Sequence, residues 1–188
     1  MRDDSDDELM VRSGNGDKAA FGQLVERHLS RAGAIASRVA GNRSDAEEIV
    51  QEAFLRAWLK APGWQPQDRR DGGAQFTTWF YRVLVNLCLD RKRRAPFAPI
   101  EAADEVADPR PGGYDTTLQS ETGSRVAAAV AALPGRQRAA LTLCHYEGLS
   151  NIEAAAILEV SVGALESLLV RARRTLRDTL ADLAPQES

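Results

Sequence analysis

With 188 residues, 44% of them hydrophobic and 27% charged, the chain has the composition of a globular protein that folds in water. That length suits one medium domain or two small ones, and the formal net charge of -3 argues against an evenly basic nucleic-acid-binding surface. No apolar run approaches the ~20 residues needed to cross a bilayer, and "MRDDSDDELM" lacks the basic start of a signal peptide, so no membrane insertion and a cytoplasmic location are expected.

Charge is spread unevenly: acid gathers in "DDSDDE" and in the middle of the chain, base in short clusters further on. From Lys18 to about Lys60 apolar residues recur at helical spacing, through Phe21, Leu24, Val25, His28, Leu29 and Ile35. "GNRSDAEEIV" interrupts this pattern with Ser44 as N-cap and Glu47 three residues on, a capping-box spacing that predicts a new helix. Ala61 to Gln75 holds prolines and glycines without periodicity and reads as a long loop. The helical period returns over Phe76–Arg94 and stops at Pro96.

Residues 96–117 are rich in proline, glycine and acid and poor in apolar side chains, the composition of a flexible linker. Beyond it helical patterns cover about Leu118–Ala132, Gly135–Tyr146, Ser150–Leu158 and Val162–Leu183. No strand-like alternation occurs, so an all-α fold is expected, with domains at 1–95 and 118–188. The two cysteines, Cys88 and Cys144, fall inside helical patterns and read as core thiols in a reducing compartment.

Three helices carry chemistry. In "SDAEEIVQEAFLRAWLK", Ala46, Ile49, Val50, Ala53 and Ala57 form a core face, while Leu55 and Leu59 fall on the opposite side beside Glu48, Gln51 and Glu52. Leucines exposed among acids suit docking on a protein partner; the alternative is a helix covered on both faces within its own domain. In "FTTWFYRVLVNLCLDRKRR", Phe76, Phe80, Val83 and Leu87 form the expected buried stripe, with Thr78, Arg82, Asn86 and Arg93 on the other side. Trp79 and Tyr81 border this row, and rings beside arginines and an amide equip a surface for single-stranded nucleic acid, although such rings serve equally as core.

"GLSNIEAAAILEVSVGALESLLVRARRTLR" is a short helix capped by Ser150, a tight turn around Glu159–Ser161 and a longer helix, a helix-turn-helix spacing that an ordinary helical hairpin also satisfies. On its second helix Leu165, Leu169, Ala172 and Leu176 share one face, while Glu166, Ser167, Val170, Arg171, Arg174 and Arg177 point away and Leu168 lies at the edge, assigned to packing. Enzymatic signatures are missing: His28 and His145 sit in unrelated segments, no GxSxG, HExxH, P-loop or CxxC spacing occurs, and neither metal nor cofactor is expected.

The ordered set resembles the extracytoplasmic-function sigma factors of bacterial RNA polymerase. "DAEEIVQEAFLRAW" is similar to that family's region 2.2, "FTTWFYRVLVNLCLDRKRR" to regions 2.3 and 2.4, and the stretch from Leu133 to Arg177 to region 4. The resemblance implies promoter-specific transcription initiation, in a stress or envelope response and under an anti-sigma factor. Core polymerase would dock on Glu48, Gln51, Glu52, Leu55, Trp58 and Leu59. Trp64 and the loop around it, with Thr78, Trp79, Tyr81, Arg82, Asn86 and Arg93, would open and hold the minus-10 strand. Glu166, Ser167, Val170, Arg171 and Arg174 would read the minus-35 element, with Glu166 and Leu168 standing where the family's reading helix usually presents bases. The linker acids Glu101, Asp104, Glu105 and Asp108 would mimic nucleic acid near the polymerase active centre. Two rival readings, a dimeric helix-turn-helix regulator and a sigma-like decoy for an anti-sigma factor, share parts of this pattern.

Overall fold

A computed structural model describes residues 4–66, 75–94 and 121–181, and among them every regular element is helical. The linker at 96–117, including Glu101, Asp104, Glu105 and Asp108, and most of the loop after Trp64 lie outside the described residues. The chain folds as two helical bundles that pack on one another.

The acidic start is itself a helix, α1 (Asp6–Gly14). Ser5 caps it: its Oγ accepts from the Glu8 N–H, and the Glu8 carboxylate accepts from the Ser5 N–H at 2.7 Å. Asp6, Asp7 and Glu8 then lie at the positive end of the helix dipole. Gly14 is required where α1 meets the short 3-10 turn Ala61–Gly63, since a Cβ there would fall 2.2 Å from the Ala61 carbonyl oxygen.

Helix α2 (Lys18–Ala40) starts at an Asp17 cap and ends at Gly41, whose φ of 91° is a left-handed stop that glycine adopts at little cost. Helix α3 (Arg43–Lys60) corrects the expected cap: Asn42, not Ser44, accepts from the Asp45 N–H, at 2.7 Å. Asparagine caps as well as serine, and it lies where the backbone turns extended. Ser44 is exposed and Glu47 pairs with Arg43 instead.

Helix α4 (Gln75–Arg94) crosses the first three and closes the first bundle. Its buried residues are Phe76, Phe80, Tyr81, Leu84, Val85 and Cys88; Val83 and Leu87, expected in the stripe, are only partly buried. The stripe is wider than expected because α2 and α3 pack on one side of α4 and the second bundle on another. Phe80 stacks on Phe76 at 5.4 Å and meets Phe54 at 4.8 Å, making the centre of the core. Burial pushes the Cys88 thiol up to about 12, the behaviour of an inert core cysteine.

The N-terminus of α4 is capped from far away in sequence. The buried Asp7 carboxylate accepts from the Phe76 backbone N–H at 3.0 Å and from Trp64 Nε1 at 3.2 Å. Beside it, Asp6 accepts from His28 Nε2 at 2.7 Å and from the Thr77 hydroxyl at 3.0 Å, while the Tyr81 hydroxyl lies 3.0 Å from His28 Nδ1. Burial alone would raise the Asp6 carboxyl, but hydrogen bonds from His28, Arg27 and Thr77 outweigh it and hold it at about 2.

The second bundle contains α5 (Glu121–Ala132), α6 (Gly135–Leu141) with a five-residue π-helical turn Thr142–Tyr146, α7 (Asn151–Leu158) and α8 (Val162–Thr179). Ser150 caps α7 in a capping box with Glu153, and the turn Glu159–Ser161 separates α7 from α8 as expected. Val130, Leu133, Leu141 and Ala172 form a small core of their own, whereas Leu143, Ala155, Ile157, Leu158 and Leu165 join the core of the first bundle. Arg31 ties the bundles further, donating to Glu147 Oε2 at 3.1 Å and to the Glu147 carbonyl at 3.0 Å.

Asp7→Ala should destabilise the protein by roughly 1 to 3 kcal/mol, because the buried Phe76 N–H loses its acceptor. Asp7→Asn, which keeps an acceptor oxygen, should lose less; equal thermal unfolding of both variants and the native protein would show that the cap contributes nothing.

Candidate functional site

Three surfaces carry the candidate residues. On α3 the face opposite the core presents Gln51, Leu55 and Leu59 at one-turn intervals, with Leu55 51% and Leu59 69% exposed. A leucine left this open forgoes half or more of the ~1.5–3 kcal/mol available from burial, so two on one ridge make a candidate contact surface. Trp58 is half-buried, its ring edge-on to Phe21 at 5.0 Å, and borders the ridge. Glu52 pairs with Arg56 at 2.8 Å, and Glu48 with Arg91 of α4, which also holds Asp45 at 2.9 Å. The acids beside the leucines are thus already oriented.

The second surface runs along α4. Asn86 is exposed and Thr78 half-buried; Trp79 is half-buried against Trp64, ring centroids 5.5 Å apart. Trp64 is turned inward by its bond to Asp7 and forms the edge of the aromatic core. Tyr81 departs from the expectation: it is 1% exposed, bonded to His28, and its hydroxyl is driven above its usual range by burial. It serves as core, because its position on the helix wheel turns it toward α2 and not toward solvent. Arg93 lies in the last turn of α4, its side chain outside the described residues.

Helix α7 packs against α4 at this surface. Arg82 donates from Nη2 to the Ala156 carbonyl at 3.1 Å and from Nη1 to Glu159 Oε1 at 3.3 Å. Glu159 is the C-cap of α7 at φ 54°, the one left-handed non-glycine residue among those described. A base row expected to be open is therefore partly occupied by the second bundle.

The third surface is the outer face of α8. Leu165, Leu169 and Ala172 are buried and Leu168 is partly buried, whereas Glu166, Ser167, Val170, Arg171 and Arg174 are all exposed, as expected. Asn151, the first residue of α7, donates from Nδ2 to Glu166 Oε1 at 3.4 Å. Arg174 lies at the 4.0 Å limit of a contact with Asp178.

Several contributors escaped the sequence reading. Arg31 and Arg38 lie two turns apart and so share a face of α2, a visible signal, but their acceptor Glu147 is 116 residues from Arg31. Asp6, Asp7 and Glu159 gave no local sign of their roles. In each case the partner is distant in the chain.

Two family models match the chain: Sigma-70 region 2 over residues 24–96 and Sigma-70, region 4 over residues 124–176. The chain is 36% identical over 182 residues to the ECF RNA polymerase sigma factor SigM of Mycobacterium tuberculosis strain H37Rv, covering 95% of this chain and 86% of SigM. The chain belongs to the ECF RNA polymerase sigma factor family. It is also 36% identical to the ECF sigma factor SigE of Mycolicibacterium smegmatis, over 91% of this chain and 66% of that longer one. Among solved structures it is similar to CnrH in complex with the cytosolic domain of CnrY, with a TM-score of 0.67, 30% identity and coverage of 96% of this chain and 100% of that one. Within this sigma factor, α3 and α4 fall in the region 2 match and α7 and α8 in the region 4 match, while α1, with its capping carboxylates, precedes both.

Glu159→Gly should relieve the left-handed strain and remove the ion pair to Arg82, leaving only the bond to the Ala156 carbonyl. We expect thermal stability to hold or rise by about 1 kcal/mol, while the distance between labels at Ser44 and Thr175, both exposed, lengthens. An unchanged distance would mean that the remaining contacts, the apolar core and the Arg31 and Arg38 bonds to Glu147, hold the bundles together without this ion pair.

Proposed function

We propose that this sigma factor docks on core RNA polymerase through the α3 ridge, opens and holds the minus-10 element on α4, and reads the minus-35 element with α8. The observation that carries this reading is the pair of exposed leucines, Leu55 and Leu59, on a helix whose other side is fully committed to the core. A chain that bound DNA as a free-standing regulator would have no use for that ridge. Asn86, Trp79 and Arg82 supply an amide, a stacking ring and a guanidinium for an unstacked strand, the groups single-stranded recognition uses. Arg171 and Arg174, exposed on α8, supply phosphate contacts for a helix in a major groove.

The domain division at 1–95 and 118–188 is supported by the gap between the two family matches. The contact of α7 with α4 engages Arg82, so strand binding requires the second bundle to leave α4. Docking on polymerase supplies that separation by holding the two bundles apart on its surface. CnrH is solved in complex with another protein, the cytosolic domain of CnrY, which supports a protein partner beside polymerase and promoter DNA, and we take that partner to be a cognate anti-sigma protein. The work proceeds where the polymerase is, in the cytoplasm, and no described helix is long and apolar enough to cross a membrane.

Leu55→Asp should abolish association with core polymerase in a pull-down and run-off transcription with it, while helicity by circular dichroism stays native. Retained association would remove the α3 ridge from the docking surface, and lost helicity would place Leu55 in the fold.

A further inference from the structure

The outer face of α8 is segregated by chemistry. Val162, Glu166, Val170 and Arg174 follow one another at one-turn intervals, and all four are exposed, Val162 by 38% and Val170 by 63%. From Val162 to Val170 the only charge is Glu166; from Arg171 onward come Arg173, Arg174 and Arg177. A helix-turn-helix directs the N-terminal residues of its second helix at base edges. The half of α8 that would meet bases is therefore apolar and acidic, and the half that meets the backbone is basic.

Glu166 is also oriented. The Asn151 amide accepts from the Cys144 thiol through Oδ1 at 3.8 Å and donates through Nδ2 to Glu166 Oε1 at 3.4 Å. The thiol stays protonated as a donor, since burial raises it above its ordinary range. A carboxylate only accepts, and one with about four lone-pair sites keeps acceptor capacity after taking one hydrogen bond. In the major groove the amino groups of cytosine and adenine are the donors, but adenine sets its N7 acceptor beside that amino group, where it repels a carboxylate. Cytosine is left as the favoured partner. The valines on either side have no polar atom to offer and match the C5-methyl of thymine. Four residues of helix advance about 6 Å and one base step about 3.4 Å, so each valine lies about two base pairs from the base that Glu166 reads.

We infer that Glu166, positioned by Asn151, determines the minus-35 specificity of this protein by selecting a cytosine, with Val162 and Val170 selecting thymine methyls about two base pairs to either side. This rests on the reading of α8 as the minus-35 helix. Glu166 is the specificity residue and Asn151 a positioning residue, which acts through the carboxylate it holds.

The test is run-off transcription by core polymerase and the full-length protein from a promoter library randomised across the upstream element, with the transcribed templates sequenced. The native protein should enrich cytosine at one position by about tenfold over other bases. Glu166→Gln, whose amide pairs with adenine, should move that one position to adenine and leave the others as they were. Asn151→Ala should weaken the cytosine preference several-fold while helicity, melting temperature and the preferences elsewhere in the element hold, a pattern that a merely structural asparagine would not give. Replacing thymine by uracil in the selected element, which deletes only the methyl, should lower transcription by the native protein and not by Val170→Ala at that valine's base. If the native protein transcribes the library but selects no upstream element, α8 does not read the minus-35 region. If it selects an element and Glu166→Gln selects the same one, the minus-35 reading stands and this inference is overturned.

Discussion

A carboxylate from the first helix fixes the helix on which most of the molecule depends. Asp7 caps α4 through the Phe76 N–H and holds the Trp64 indole against the same end. An α-helix begins with backbone donors that lack intrahelical partners, and inside a core water is not there to satisfy them. Asp6 completes the arrangement by clamping Thr77 and His28, through which Tyr81 is held. The direction in which Trp79, Arg82 and Asn86 leave α4 follows from this anchorage, and so does the seat on which α7 rests.

The seat is a compromise. Apolar residues of both bundles form one continuous core, and Arg31 and Arg38 converge on Glu147 from across the interface. Against this, Arg138 is 1% exposed, and although its Nη1 donates to the Ala131 carbonyl, its Nε and Nη2 have no hydrogen-bond partner among the described residues. Burial pulls its guanidinium below its usual range, because taking a charge out of water is costly. Glu159 adds backbone strain at the point where it holds Arg82. An interface that combines a good apolar contact with a cation satisfied only through Nη1 is suited to the separation of the α4 and α8 surfaces that the proposed function requires.

The remaining surfaces divide the work by chemistry. The α3 ridge offers apolar area next to ion-paired acids, suited to a protein partner. The α8 face carries arginines at one end and a held carboxylate between valines at the other, so on the proposed reading affinity and selectivity come from different parts of one helix.

Much of this was legible in the chain alone. Helical period placed the core of α3 at Ala46, Ile49, Val50, Ala53 and Ala57 and left Leu55 and Leu59 outside it, and the same arithmetic sorted the two faces of α8. The order of three motifs identified the family. These are properties of spacing within about twenty residues, and a helix converts spacing into direction by a fixed rule. The tertiary structure alone decided whatever depends on a partner elsewhere: that the Asp7 carboxylate of the acidic start caps α4, that Tyr81 is buried against His28, and that Arg82 is engaged by Glu159. Periodicity gives the side of a helix a residue occupies, but not what will be packed there. A hydrogen bond across 69 residues is set by where the whole chain brings its ends, and no local pattern carries that information.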